Sequence, residues 1–206
     1  MIDDRANKIL KDFTVSPIRS SRLAAGYILS SVVVGFIMSI VTFVLAEAYI
    51  FLNGGELLPP MAMLKMIGLI LLTVLTSSAM VYFLTSFFRS QNAFATASTI
   101  LGTIIGFLAG VYVPIGQFSD SVQTVIKLFP MTYSASLMRQ VMMEEPLKIS
   151  FAGVPVEGLD AFKLMMGHTI RFGESAVTPF TSILILSGTA LLLYGMSILN
   201  ISRKAK

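Results

Sequence analysis

Residues Lys11 to Ser31 read KDFTVSPIRSSRLAAGYILSS. Charged and polar residues fill the first half, Ser16-Pro17 breaks it, and from Leu23 no charge occurs until Glu47. Crossing the hydrocarbon core of a bilayer takes about 20 apolar residues at about 1.5 Å each. The block Leu23 to about Leu52, with Glu47 its only charge, is therefore long enough to span. It follows some twenty mixed residues and is too long for a signal peptide.

Three further blocks have the same character: Met66 to Phe88, Ala93 to Ile115 and Val177 to Ile201. Hydrophobic residues make up 55% of the 206 and charged ones 13%, and the mean hydropathy is +0.81, the profile of an integral membrane protein. The absence of cysteine excludes disulfides and thiolate metal sites. A single histidine, His168, leaves no histidine cluster for a metal. The net charge of +4 does not indicate nucleic acid, because the basic residues bunch beside apolar blocks.

That bunching sets an expected orientation. Arg5, Lys8, Lys11, Arg19, Arg22, Arg89, Arg203, Lys204 and Lys206 fall on one side of four alternating spans, and they are nine of the fifteen basic residues. By the positive-inside rule both termini face the cytoplasm. The expected fold is an all-α integral membrane protein with four transmembrane helices. Residues 1–22 form a cytoplasmic amphipathic segment, 23–115 three spans, 116–176 extracytoplasmic helices and a lobe, and 177–206 the last span and a basic tail.

In the N-terminal segment Ile2, Ala6, Ile9 and Phe13 recur at helical spacing, with Asp3, Asp4, Lys8, Lys11 and Asp12 on the remaining surface. Pro17 ends this helix, and Ser16 can cap the next with Pro17 at its first position. Periodicity alone allows two uses, an anchor lying on anionic lipid or a docking element for a soluble partner. In the third block Gly102, Gly106 and Gly110 form a small-residue stripe. Such a stripe permits close helix approach, either to another span of the same chain or to a second subunit or the wall of a path.

After the third block, GQFSDSVQTVIKLFP sets Val122, Val125, Ile126 and Phe129 on one face behind Ser119, a plausible N-cap, and stops at Pro130. MTYSASLMRQVMMEEP sets Leu137, Met138, Val141 and Met142 together and stops at Pro146. Both helices are too short to span and too apolar for water, so they read as a re-entrant or interfacial pair. Arg139 among these apolar positions needs a carboxylate, a carbonyl or a lipid phosphate, and snorkelling to headgroups is the expected solution. Residues 147–175 are polar and glycine-containing, and their structure is not derivable from pattern. Glu47 is the one ionisable residue placed to face a cavity, and its distance from Arg22 favours the alternative, a carboxylate at the outer headgroup level.

No catalytic constellation assembles from these residues, with no HExxH pair and no GxSxG elbow. There is also no GxxxxGK[ST] loop, so any ATP used is bound by another polypeptide. An intramembrane enzyme would have to rest on His168 or Glu47.

SPIRSSRLAAGYIL leading into a span, the arginine turn FFRSQNA, a glycine-rich span ending GVYVPIGQFSDSVQ, then FPMTYSASLMRQ and a last span with a basic tail resemble the ABC-2 (type-two) permeases of ATP-binding cassette exporters. The likeness covers nearly the whole chain. It implies a plasma-membrane permease subunit that exports an apolar or amphipathic substrate: a drug, lipid or peptide. It also implies pairing with a second copy or a second permease, and docking on a cytoplasmic ATPase that carries the ATP and Mg, this chain binding no cofactor. Lys8, Lys11, Asp12, Phe13, Ser16, Pro17, Ile18 and Arg19 then match the coupling segment that meets the ATPase. Phe129, Pro130, Tyr133 and Arg139 fall in the re-entrant outer helices. The family usually has six spans, and this chain begins where the loop after the second is expected, so the first two spans are expected to be missing. A chain with four spans only would suit a non-transporting scaffold or regulatory partner.

Overall fold

The computed structural model describes residues 20–204 apart from Ser86, Arg89 and Glu174. The expected amphipathic helix, with Lys8, Lys11, Asp12, Phe13, Ser16, Pro17, Ile18 and Arg19, lies outside the described residues. The chain runs α1 (Ser20–Leu52), α2 (Pro60–Thr85), α3 (Gln91–Leu108), a 3-10 turn at Ile115–Gln117, α4 (Asp120–Leu128) and α5 (Pro130–Met142). Then follow α6 (Glu144–Ser150), α7 (Val156–Met165), a short hairpin of β1 (Arg171–Phe172) and β2 (Ser175–Ala176), and α8 (Pro179–Lys204). The fold is all-helical apart from that hairpin.

Three helices among the described residues are long and apolar enough to cross a membrane: Ala25–Leu52 within α1, Pro60–Thr85, and Pro179–Ser197 within α8. At 33 residues α1 rises about 50 Å, more than a ~30 Å hydrocarbon core requires. The expected third block is an 18-residue helix, α3, that ends at Leu108 rather than Ile115. Gly110 stops it. With φ at 68° it takes the left-handed conformation, its N–H bonds Phe107 O at 3.0 Å, and Val111 N–H bonds Gly106 O at 2.9 Å. That pair of bonds is a Schellman ending. Polar residues also thin the apolar surface of α3. Thr96, Thr99 and Thr103 each return their hydroxyl to the carbonyl four residues back.

The core is built around α2. Met66, Ile70 and Val74 pack on Val32 of α1, with Met138, Val141 and Met142 of α5 against the same cluster. Gly35 makes this approach possible, because a Cβ there would lie 3.1 Å from Val74 Cγ1. A second cluster joins Tyr133 and Leu137 of α5 to Ile170 and Leu186, with Leu69 and Leu72 of α2 beside them. Where lipid replaces water, packing and hydroxyl bonds hold helices together. α2 supplies four hydroxyls: Thr73 to Ser134 and Ser77 to Met131 Sδ on α5, Thr76 to Leu186 O and Ser78 to the Tyr194 hydroxyl on α8. Large apolar side chains such as Leu29, Ile37 and Leu45 on α1 stay exposed, as a lipid-facing surface requires.

The short helices α4, α5 and α6 follow their punctuation. Ser119 is the N-cap of α4, and Phe129 both ends α4 and begins α5 in an extended conformation (φ −87°, ψ 127°), as a residue before proline must. Pro146, expected to end the second helix, instead lies in the first turn of α6. A proline is tolerated there because that turn's N–H groups have no intrahelical acceptor.

Candidate functional site

The conspicuous polar feature of α5 is Arg139. It sits on α5 among Met138, Val141 and Met142, and its Nη2 donates to Ala109 O at 2.7 Å and Gly110 O at 2.8 Å. A guanidinium thus caps the end of α3, satisfying carbonyls that a helix terminus leaves open and opposing the negative end of its dipole. This corrects the expected snorkelling. The carbonyl partner lies inside the protein, because the Gly110 turn aims two adjacent carbonyls at α5.

Two left-handed glycines fit around the guanidinium. A Cβ on Gly110 would lie 3.3 Å from Arg139 Nη2, and one on Gly167 (φ 69°) 3.3 Å from Nη1. Gly167 was not singled out by the sequence. Its spacing from Lys163 and Leu164 resembles any helix ending, and only the fold brings it to Arg139. Of the three stripe glycines, Gly102 faces open space, Gly106 is covered by the Tyr112 ring, and Gly110 terminates the helix. Only Gly110 meets α5.

Phe129, Pro130 and Tyr133 make the corner between α4 and α5. The Tyr133 hydroxyl donates to Lys127 O at 2.6 Å, and Thr132 Oγ1 donates to Ile126 O at 2.8 Å. The hydroxyls of α5 thereby satisfy the last carbonyls of α4. Behind this corner lies a cavity of about 380 Å³, lined by Ile115, Gln123, Lys127, Met165 and Arg171 among others. Its walls are mostly apolar, with two cationic side chains.

His168 lies in the lobe between α7 and α8, where its carbonyl accepts from Ser136 Oγ at 2.7 Å and Gln140 Nε2 at 2.9 Å. Burial lowers its pKa, and the positive charges of Lys163 and Arg139 lower it further. The folded lobe therefore favours neutral His168. Stability from this group is complete above the ordinary histidine value and falls as pH drops below about 6.5 toward the depressed folded value. Faster amide exchange in 163–170 at pH 5.5 than at pH 7.5, after correction for intrinsic rates, is expected in the wild type. His168→Asn should remove that difference, and a difference that persists in the variant would assign it to another group.

Glu47 is buried, 6% exposed, because the connection from α1 to α2 folds back over it and Leu58 N–H donates to its Oε2 at 3.1 Å. Among the described residues no group of three or more His, Cys, Asp or Glu is arranged to hold a metal ion.

A family model described as ABC-2 family transporter protein matches residues 1–199. No curated protein and no solved structure matches the chain.

Proposed function

This chain belongs to the ABC-2 family of transporter proteins, and we propose that it is the membrane permease subunit of an ATP-binding cassette exporter. The observation that carries the reading is the family match, which runs through the N-terminal segment as well as the spans. In this reading α1, α2, α3 and α8 each cross the plasma membrane, with both termini in the cytoplasm. The α4–α5 pair dips into the outer leaflet, and the path forms between this chain and a second permease, a copy of itself or a homologue. A cytoplasmic ATPase bearing ATP and Mg²⁺ docks on Lys8 to Arg19. The substrate is apolar or amphipathic. The cavity of about 380 Å³ supports that part of the reading, since pockets of this size and lining hold small amphipathic molecules.

The test is capture of the protein from its native membranes through its C-terminal tail. An ATP-binding cassette ATPase should come with it, and Pro17→Ala with Arg19→Ala should reduce its recovery at least about tenfold, a loss of about 1.4 kcal/mol. Capture without an ATPase, from membranes that contain the full chain, would favour a scaffold instead.

A further inference from the structure

Arg139 is engaged by the carbonyls at the end of α3, and Lys148 lies 3.2 Å from Glu144 Oε1 and 2.8 Å from Glu145 Oε1. Lys127 and Arg171 are placed differently. Both are half-buried, and neither side chain makes a hydrogen bond or ion pair among the described residues, the Lys127 ammonium standing only over the Phe172 ring at 6.0 Å from its centroid. Both line the cavity of about 380 Å³, and no carboxylate among the described residues lines it with them. Two like charges sharing one largely apolar cavity repel each other and lose hydration. A bound anion relieves both penalties.

The walls hold this space open. The 3-10 turn meets α7 closely, since a Cβ on Gly116 would lie 2.6 Å from Met165 Cα and one on Gly167 2.6 Å from Ile115 Cδ1. Ile115, Ile126, Leu164 and Met165 give the cavity an apolar side. Gln123 Nε2 and Thr132 Oγ1, which also line it, donate to Phe118 O at 2.9 Å and Ile126 O at 2.8 Å. The head of a ligand is therefore left to the two cations. A guanidinium offers a planar fork that matches an oxyanion, and an ammonium adds a point charge beside it. The volume lies toward the small end of ligand pockets, enough for such a head and a short alkyl tail.

We propose that this cavity binds an amphipathic anion, with its carboxylate or phosphate head between Lys127 and Arg171 and its alkyl tail on Ile126 and Met165. The assignment rests on the amphipathic reading of the same cavity and adds the sign of the head charge. It does not depend on the docking of an ATPase.

The test uses the full chain in phosphatidylcholine nanodiscs, titrated calorimetrically at pH 7 with sodium octanoate, octylammonium chloride and octanol, with empty nanodiscs subtracted. Saturable octanoate binding is expected, weakened at least about tenfold by Arg171→Gln and in the same direction by Lys127→Gln. Octylammonium and octanol should each bind at least about tenfold more weakly than octanoate. Ala161→Asp, at an exposed position on the cavity wall, adds a negative charge, should also weaken octanoate binding, and keeps the test decisive should Arg171→Gln fail to fold. Octanoate binding unchanged in these variants, or octanol or octylammonium binding as tight as octanoate, would overturn the anion assignment and leave the amphipathic reading standing. No saturable binding of any of the three would overturn both. In nanodiscs containing phosphatidylglycerol, weakened octanoate binding would identify the phosphate of an anionic lipid as the resident head, and unchanged binding would assign the cavity to free single-tailed anions.

Discussion

Arg139→Ala is expected to destabilise the protein by about 2–4 kcal/mol, a large share of the stability of an ordinary domain. The guanidinium makes two short charge-assisted bonds to adjacent carbonyls at the end of α3, and alanine leaves both without a partner. The loss should have a location as well as a size. The Gly110 and Val111 amides, which close the helix onto Phe107 and Gly106, should exchange much faster in the variant, while α2 amides at the core change less. Arg139→Lys should recover a minor part, because an ammonium is a point charge and lacks the planar fork. Thermal unfolding in detergent together with hydrogen exchange reads both quantities. An unchanged melting temperature would mean that water or lipid replaces the guanidinium at no cost.

Gly110→Val is the second large effect, expected at about 3 kcal/mol. A β-branched residue in the left-handed region costs about 1–3 kcal/mol by itself. Here the new Cβ would also lie 2.8 Å from Ile115 Cγ1, so Ile115 would have to shift as well. Gly102→Val is the matched control, because nothing lies within 4 Å of a Cβ at Gly102. It should melt like the wild type as a single chain. If it also dissociates a larger assembly, the open end of the stripe belongs to a contact between subunits. Equal melting of both variants would show that the turn at Gly110 does not terminate α3.

These positions also mark where sequence pattern informs and where it fails. The long uncharged blocks locate α1, α2 and α8 because bilayer thickness imposes a length on any spanning helix, independent of neighbours. Prolines do the same locally. Phe129-Pro130 makes the α4–α5 corner, and Thr178-Pro179 opens α8 with Thr178 Oγ1 accepting from Thr181 N–H at 3.2 Å. Gly110 carried an ambiguous signal. At four-residue spacing it reads as part of a packing stripe, and its use as a helix stop depends on the bonds made by the residues after it. The partner of Arg139 was not legible, because backbone carbonyls have no signature in side-chain identity. The burial of Glu47 was not legible for a related reason, because it comes from a connection folding back over it. The lobe was opaque because α6 and α7 are short helices set by contacts with α5 and the 3-10 turn rather than by periodicity of their own.

The hydroxyls of α2 carry one more implication. Leu72 O at 2.9 Å is an alternative acceptor for the one Thr76 hydroxyl hydrogen, and Ser78 donates to Leu75 O at 3.1 Å, each a carbonyl of their own helix. Each therefore holds a partner in reserve. If α8 slides along α2, the bonds to Leu186 and Tyr194 can part while both α2 hydroxyls keep an acceptor in their own helix, and interhelical bonds of this kind average only about 0.6 kcal/mol. The hydroxyl part of the α2–α8 seam thus sets register at little cost to sliding, while the apolar contacts of the Leu186 cluster with Leu69 and Leu72 are what a shear would have to unpack.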